Sequence, residues 1–302
     1  MARRRPPTGA GRGHPGAAVT DDPQLHVDGV PVARYVLDPD LDATHGPRPY
    51  LHPVRTLAGT VVTDALPADH VWHLGASLAV QDVDGTNLWG GRTYVRDTGY
   101  TWRDDHGRIA HTGWDERYAD RLAHRLQWRD RDGRVLLTEH RRLAAAPLPG
   151  PAGGWLLDVA YTLTAPAEHD VVLGSPATNG RPGGAGYGGF FWRAVSTDPA
   201  DTFTATAEGE EKVNGSAEEW VALTGTADGA AYTLVFCGLA EEDRWFVRTA
   251  MYPGVCAAFA FARTRSIPAG GSRSGRHRIA VLDGHPDRAT VAALADRLAT
   301  GG

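Results

Sequence analysis

The stretch HRLQWRDRDGRVLLTEHRRL, residues 124–143, carries the pattern that decides the fold. It holds two runs in which apolar and polar side chains alternate, separated by an Asp-Gly pair at 132–133. Such alternation is typical of a strand with one buried face, and Asp-Gly between two strands is the strongest short signal for a hairpin. The stretch therefore predicts two antiparallel strands joined by a turn at Gly133.

The same combination recurs along the chain. Asp-Gly also occurs at 28, 84, 228 and 283, and in residues 25–37 and 220–239 it again separates strand-like runs. Apolar residues recur at helical spacing only in HPDRATVAALADRLAT, residues 285–300. We therefore predict an all-β fold: a large antiparallel β-sandwich of supersandwich-like type, with fifteen or more strands and one C-terminal helix over 287–299.

Composition limits the domains and the partners. The first residues are rich in Pro, Gly and Arg, which predicts a disordered tail over 1–21, and no long linker interrupts the strand pattern of 22–302, which we expect to form one domain. The net charge of −5 argues against nucleic acid as the main partner, because phosphate binding needs a basic surface. No apolar run has the length of a membrane helix or of a signal peptide, so we expect no membrane partner and a cytoplasmic location.

Two further features bear on cofactors and redox state. Cys237 and Cys256 stand in apolar contexts, which favours two reduced, buried thiols over a single disulfide bridge. The glycine-rich stretch NGRPGGAGYGGFFWR, residues 179–193, lacks the Gly-Lys-Ser/Thr ending of a phosphate loop, so we predict no nucleotide cofactor. It is either a pliant loop that brings Tyr187 and Arg193 to a site or an irregular surface crossover.

Candidate functional residues are concentrated in ADHVWHLGASLAV, residues 68–80. A strand over about 72–81 would present apolar side chains to the core from one face. Its other face would carry His73 followed by three small residues: Gly75, Ser77 and Ala79. One imidazole above three small side chains leaves room for a ligand, unless a bulky facing element fills the space.

Two neighbouring stretches and one later strand add groups of similar chemistry. They contribute the following residues: Tyr50, His52, Arg55, His111 and Glu139. Glu139 falls in an apolar strand phase, where a carboxylate is costly unless it is paired. Imidazoles, phenols, arginines and carboxylates on β scaffolding suit acid–base work on a hydroxyl-rich substrate.

A metal site on His70, His73 and a third histidine is the competing interpretation. Residues three apart point to opposite faces of a regular strand, so these two histidines converge only if His70 lies in the preceding loop. The sequence has no His-Glu-x-x-His helix and no thiolate nearby, so we predict no metal. Serine nucleophile chemistry is disfavoured too, since GASLA is not a Gly-x-Ser-x-Gly elbow.

Several motifs resemble, in the same order, a bacterial family of unknown function described as PmoA-like. The motifs are RPYLHPVRTLAGTVVTDALPADHVWHLG, GRIAHTGW, GRVLLTEHRRL, GYGGFFWR, MYPG and IAVLDG, and the likeness covers roughly residues 45–285. The family's label "methane oxygenase" is misleading, because the membrane subunit that it evokes consists of transmembrane helices. The resemblance implies a carbohydrate-handling β-sandwich similar to galactose mutarotases. Family members are often encoded near sugar dehydrogenases, which implies a functional pairing with such an enzyme.

The family's motif is Asp-His-x-x-His followed by another basic residue and Gly. Asp69, His70, His73 and Gly75 match it, whereas Leu74 takes the basic position and Trp72 a place often held by His. These departures leave fewer imidazoles in the motif than the family usually has, and they indicate a different substrate. Five further residues fall in family-like segments: Tyr50, His52, His111, Tyr187 and Arg193.

We predict that these residues line one cleft of a sugar-handling enzyme. Proton transfer is assigned to His73, His70, His111, His52 and Glu139. Substrate contacts are assigned to Tyr50, Arg55, Asp69, Trp72, Tyr187 and Arg193. The predicted reaction is the cleavage or isomerisation of a C–O bond in a sugar-like substrate, such as a 3-keto sugar made by a partner dehydrogenase.

Two alternatives to this reaction remain open. One is an aldose epimerase of the mutarotase kind, using the same type of acid–base pair. The other is a non-catalytic carbohydrate-binding protein, with Trp72, Trp102 and Trp114 as candidate exposed aromatics. Because the face that we assign to His73 buries little, we expect its replacement by Ala to leave folding nearly intact.

Overall fold

The computed structural model describes residues 22–148 and 153–299, so the predicted tail over 1–21 lies outside the described residues. Within those ranges the chain forms twenty strands, two α-helices and a short 3₁₀ turn at Ala43–His45. The helices are α1 (Glu210–Val213) and α2 (Arg288–Ala299). The strands are β1 (Gln24–Val27), β2 (Val30–Val36), β3 (Tyr50–Val54), β4 (Ala76–Ala79), β5 (Asp82–Val83), β6 (Thr93–Val95), β7 (Gly99–Thr101), β8 (Arg108–Arg117), β9 (Arg121–Arg129), β10 (Val135–Pro147), β11 (Trp155–Thr164), β12 (Val171–Gly174), β13 (Gly189–Arg193), β14 (Asp201–Phe203), β15 (Trp220–Ala227), β16 (Ala230–Cys237), β17 (Arg244–Arg248), β18 (Gly254–Ala258), β19 (Arg265–Ile267) and β20 (Ser272–Asp283).

Two large antiparallel sheets make up the sandwich. The front sheet has the strand order β1-β2-β3-β4-β13-β18-β17, and the back sheet has the order β14-β15-β16-β20-β11-β10-β9-β8. Small sheets of three strands (β19-β12-β5) and two strands (β6-β7) accompany them. The predicted all-β antiparallel sandwich with a C-terminal helix is confirmed.

Local turn chemistry explains the hairpins. At Asp28-Gly29, Asp84-Gly85 and Asp228-Gly229 both residues have positive φ, which is the geometry of a tight two-residue hairpin turn. The turn between β9 and β10 is wider. There the carboxylate of Asp130 accepts hydrogen bonds from the main-chain N–H groups of Asp132 and Arg134, and Gly133 supplies the one left-handed residue.

The apolar side chains form three layers. The central core lies between the sheets and contains Leu78 from the front sheet and Leu126 from the back sheet. Helix α2 packs on the outer face of the back sheet through Val291 and its apolar neighbours. A third cluster, which includes Phe191, covers the outer face of the front sheet. This outer face of the front sheet supports the candidate site.

Cys237 on β16 and Cys256 on β18 are both buried, and no disulfide joins them. No helix within residues 22–148 and 153–299 is long and apolar enough to cross a membrane.

The predicted strand over 72–81 is wrong in its extent. Strand β4 begins only at Ala76, and two turns occupy residues 68–72. Gly75 has a φ of 45°, and a Cβ at this position would collide with the main-chain oxygen of Leu51. This left-handed residue separates His73 from the strand, so His73 does not stand on an open strand face.

Candidate functional site

A cleft of about 470 Å³ opens on the outer face of the front sheet. Four parts of the chain form it: the turns before β4, the segment 89–102 with the β6–β7 hairpin, the glycine-rich stretch, and β17 with the loop that follows it. The lining residues are His70, Trp72, His73, Trp89, Gly90, Arg92, Tyr100, Trp102, Arg181, Tyr187, Phe246, Arg248, Met251 and Tyr252. Aromatic and cationic side chains therefore dominate the wall.

His70 and His73 are brought together by the two turns. The main-chain N–H of His70 donates to the oxygen of Pro67 over 3.0 Å, and that of His73 donates to the oxygen of His70 over 2.8 Å. As a result the two imidazole rings stack with their centroids 4.7 Å apart. His70 thus lies in the loop before the strand. This is the arrangement that the sequence analysis required for His70 and His73 to converge.

His70 is oriented by a carboxylate. Its Nδ1 donates to Oδ2 of Asp69 over 2.8 Å, which leaves Nε2 of the neutral ring as a proton acceptor. Arg193 lies 3.6 Å from Asp69 and 3.7 Å from Asp64. Burial opposes ionisation, but the hydrogen bond from His70 and the charge of Arg193 together lower the pKa of Asp69 below its usual value. Asp69 is therefore ionised and fixes the imidazole.

His73 is a buried, neutral ring. Only 2% of it is exposed, and the rings of Trp89, Phe191 and Tyr252 pack around it at 4.9 to 5.9 Å between centroids. Burial, assisted by the charges of His70 and Arg193, lowers its pKa well below 6.5, and its Nδ1 is buried without a hydrogen-bond partner. The prediction that little is buried around His73 is therefore wrong.

Two phenols provide a proton donor in the same cleft. Arg181 donates a hydrogen bond to the hydroxyl of Tyr100, which lies 3.0 Å from the hydroxyl of Tyr187. Burial raises the pKa of both phenols, so each carries its proton at neutral pH. One O–H serves the bond between the phenols, whichever of them donates. Among the contacts of the described chain, the second O–H has no acceptor and can serve a ligand.

Arg48 connects two walls of the cleft, a role that was not predicted from the sequence. Its guanidinium is fully buried and donates to the main-chain oxygens of Trp72 at 3.1 Å and Trp89 at 2.9 Å. It also donates to the oxygen of Gly46 and to the hydroxyl of Ser77. Burial lowers its pKa to about 9, so it is still charged at neutral pH. The space expected above Ser77 is filled by this arginine.

His111 and Glu139 do not line this cleft. His111 lies on β8, where its Nδ1 is 2.9 Å from Nδ1 of His124. Glu139 accepts two hydrogen bonds from Arg141, at 2.6 and 2.9 Å, and one from Trp128 at 2.7 Å. A buried carboxylate requires a partner, and Arg141 is the partner of Glu139. The pair is buried on the back sheet and does not face the cleft. The expectation that both residues share a cleft with His73 is corrected.

Three predicted residues of the 48–56 stretch also lie outside the lining. Nδ1 of His52 pairs with the hydroxyl of Thr63 at 3.0 Å, Tyr50 is buried, and Arg55 donates to the oxygen of Gly59 within its own turn. Each side chain is thus engaged by its local neighbours. The placement of these three residues in the cleft is corrected.

The remaining predicted residues lie at or next to the cleft. Trp72 and Tyr187 line it, as does Trp102, which is 51% exposed. Arg193 lies behind the wall, with its guanidinium 4.4 Å from the ring centre of Tyr252. Trp114 instead packs on His111 and His124. Nine lining residues were not predicted from the sequence: Trp89, Gly90, Arg92, Tyr100, Arg181, Phe246, Arg248, Met251 and Tyr252. The MYPG motif, which contains Met251 and Tyr252, was the signal available for the last two.

Across residues 22–148 and 153–299, no three side chains of His, Cys, Asp or Glu form a group that could hold a metal ion. The stacked histidines are surrounded chiefly by rings, such as those of Trp72 and Tyr252.

Residues 22–296 match the model of a family of unknown function, DUF6807. No curated protein matches the chain. A crystal structure from Escherichia coli K12 described as a "Putative aldose 1-epimerase" is similar at 10% sequence identity, with 87% of this chain and 99% of that chain covered and a TM-score of 0.36. A similarity this weak transfers neither an activity nor site residues, and the resemblance to PmoA-like proteins stays a prediction.

Proposed function

We propose that this chain, which belongs to the family of unknown function DUF6807, binds a sugar-like ring in its aromatic cleft and transfers protons on that ring through His70. The observation that carries the proposal is the Asp69–His70 hydrogen bond of 2.8 Å at the wall of the cleft. A histidine oriented by an ionised carboxylate is the usual form of a general base.

The shape and chemistry of the wall suit a sugar ring. A pyranose has flat C–H faces and a rim of hydroxyl groups. Trp72, Trp102 and Tyr252 offer broad apolar surfaces to such faces, while the phenols and guanidinium groups can hydrogen-bond the hydroxyls. A volume of about 470 Å³ is sufficient for a small saccharide or glycoside.

The proposed reaction is an elimination that breaks a C–O bond. In a 3-keto glycoside the ketone acidifies the neighbouring C–H bond, and Nε2 of His70 takes this proton to give an enolate. The enolate electrons form a C=C bond as the C–O bond to the aglycone breaks, and the unpaired phenol of the Tyr100–Tyr187 pair protonates the departing oxygen. Proton return from His70 through solvent restores both groups. A sugar dehydrogenase would supply the ketone.

Hydrolysis is less well supported than elimination or isomerisation. Glycoside hydrolases usually place two carboxyl groups across the scissile bond, one as acid and one as base or nucleophile. The residues that line this cleft include neither Asp nor Glu. Aldose epimerisation needs only an acid–base pair, so it remains the second candidate activity.

The test is release of a chromophore from a 3-keto glucoside with a nitrophenol aglycone, run beside polarimetry of freshly dissolved α-glucose. Aglycone release that is abolished in His70→Gln and retained in His169→Gln would support C–O bond cleavage that depends on His70. His169 is the control because its side chain is 41% exposed and does not line the cleft. Accelerated mutarotation alone would support the epimerase. Sugar binding with neither reaction would support the non-catalytic alternative and contradict the proposal.

A further inference from the structure

We propose that the ring bound in this cleft carries a negatively charged group, a carboxylate or a phosphate, which is held by Arg92, Arg181 and Arg248. The inference takes from the proposed function only that the ligand is a sugar-like ring. The negative charge of that ligand is the new element. It narrows the substrate class to acidic sugars or sugar phosphates.

The charge of the lining is opposite to that of the chain. The whole sequence has 36 acidic residues against 31 lysines and arginines. The cleft, however, is lined by three arginines and by no carboxylate. A cleft with walls of one sign attracts ligands of the other sign, and low-dielectric aromatic walls strengthen this attraction.

Two of the three arginines have no acidic partner. Arg92 lies over the ring of Trp102 at 5.8 Å, and Arg181 lies over the ring of Tyr100 at 4.8 Å. Within the described part of the chain, neither forms an ion pair. Each guanidinium therefore keeps most of its N–H donors for a ligand.

Arg248 is only partly neutralised. Its Nη1 lies 3.6 Å from a carboxylate oxygen of Glu210. The other oxygen of Glu210 accepts hydrogen bonds from the main-chain N–H groups of Thr249 and Ala250, so this carboxylate is shared between a loop and the arginine. Behind the wall, buried Arg48 adds a further positive charge, and its hydrogen bonds to described residues all go to neutral oxygens.

The three lining arginines come from separate segments: the loop before β6, the glycine-rich stretch and the end of β17. Their side chains reach one cleft only through the tertiary fold. A guanidinium presents a planar fork of donors that fits the oxygens of a carboxylate or phosphate. Neutral sugar hydroxyls do not require three such cations.

Isothermal titration of the wild-type chain with glucose, glucuronate and glucose 6-phosphate tests the inference. We expect one of the two anions to bind at least about tenfold more tightly than glucose, with a preference that weakens as NaCl is raised. The anion that shows the preference identifies the group. Arg92→Gln and Arg181→Gln should each reduce the preference, whereas Arg288→Gln, on α2 at the opposite outer face, should retain it.

Equal affinity for glucose and both anions, or failure of both anions to bind, would overturn the inference. An equal loss in Arg288→Gln would also overturn it, because the effect would then reflect overall charge. Anion preference without any catalysis would contradict the proposed proton transfer and leave the charge inference standing. Turnover of neutral substrates with no anion preference would support the proposed proton transfer and contradict the charge inference.

Discussion

The imidazole rings of His70 and His73 stack 4.7 Å apart, with their planes inclined by 23°. A positive charge on the His70 ring disfavours a second positive charge on the His73 ring beside it. His73 is the buried member, and its pKa lies well below 6.5. His70 donates a hydrogen bond from its Nδ1 to the carboxylate of Asp69, which orients the ring. For these reasons we propose His70, and not the buried His73, as the group that transfers the proton.

Replacement of His70 by Gln should lower the rate of the proposed reaction by roughly 10²- to 10⁴-fold, the usual contribution of a general base. Asp69→Asn should cause a smaller loss of kcat, because the imidazole remains but loses the carboxylate that orients it. Steady-state kinetics of both variants beside His169→Gln checks the assignment. A His70→Gln enzyme with wild-type kcat would show that another group moves the proton.

Replacement of His73 should affect stability, in contrast to the expectation from sequence. His73→Ala leaves a cavity among Trp89, Phe191 and Tyr252, and we expect it to lower the free energy of unfolding by about 2–4 kcal/mol. His73→Phe keeps a ring in this space and removes the unpartnered Nδ1, so it should cost about 1 kcal/mol or less. Urea denaturation of both variants measures the difference. Equal stability of His73→Ala and wild type would argue against the packing role.

Local patterns explain why the fold was predictable. Alternating runs and Asp-Gly turns lie within a few neighbouring residues, and the motif from Asp69 to His73 lies within one loop. The rest of the site depends on long-range contacts: Arg48 acts on the main chain at Trp89, 41 residues away. Glu139 was misplaced because a polar residue in an apolar strand phase looks the same whether it faces a site or a buried arginine.

Acidification should destabilise the protein from just below pH 6.5. Burial lowers the pKa of His124 to about 2 and that of His277 to about 4, and it also lowers that of His73. The unfolded chain then binds more protons than the folded chain below 6.5, so stability falls with pH by up to about 1.4 kcal/mol per unit for each histidine. In urea titrations at pH 7.5 and 5, the difference in the free energy of unfolding between the two pH values should be smaller for His277→Phe than for wild type. An unchanged difference in His277→Phe would contradict this origin.

Trp102 should contribute to ligand affinity and little to stability. Its side chain lines the cleft but is 51% exposed, so Trp102→Leu removes a surface for the ligand without opening the core. We expect affinity for the sugar-like ligand to fall roughly 2- to 10-fold, the scale of an aromatic contact. Tyr118→Leu, at an aromatic residue that is 54% exposed and outside the cleft lining, is the matched control in titration calorimetry. Equal losses in both variants would argue against a specific contact.

Arg48→Lys should lower both the free energy of unfolding and the affinity for the ligand, although Arg48 lies behind the wall of the cleft. Lysine keeps the charge, but a single ammonium cannot serve the oxygens of Trp72 and Trp89 together with those of Gly46 and Ser77. Each buried oxygen that loses its donor costs about 1–3 kcal/mol, so we expect a loss of at least about 2 kcal/mol in the free energy of unfolding. Because both tryptophan rings line the cleft, ligand affinity should fall as well, even at temperatures where the variant is fully folded. Arg134→Lys, at an exposed arginine in the β9–β10 turn, should change neither quantity. A folded Arg48→Lys variant with wild-type affinity would show that the positions of Trp72 and Trp89 do not depend on Arg48.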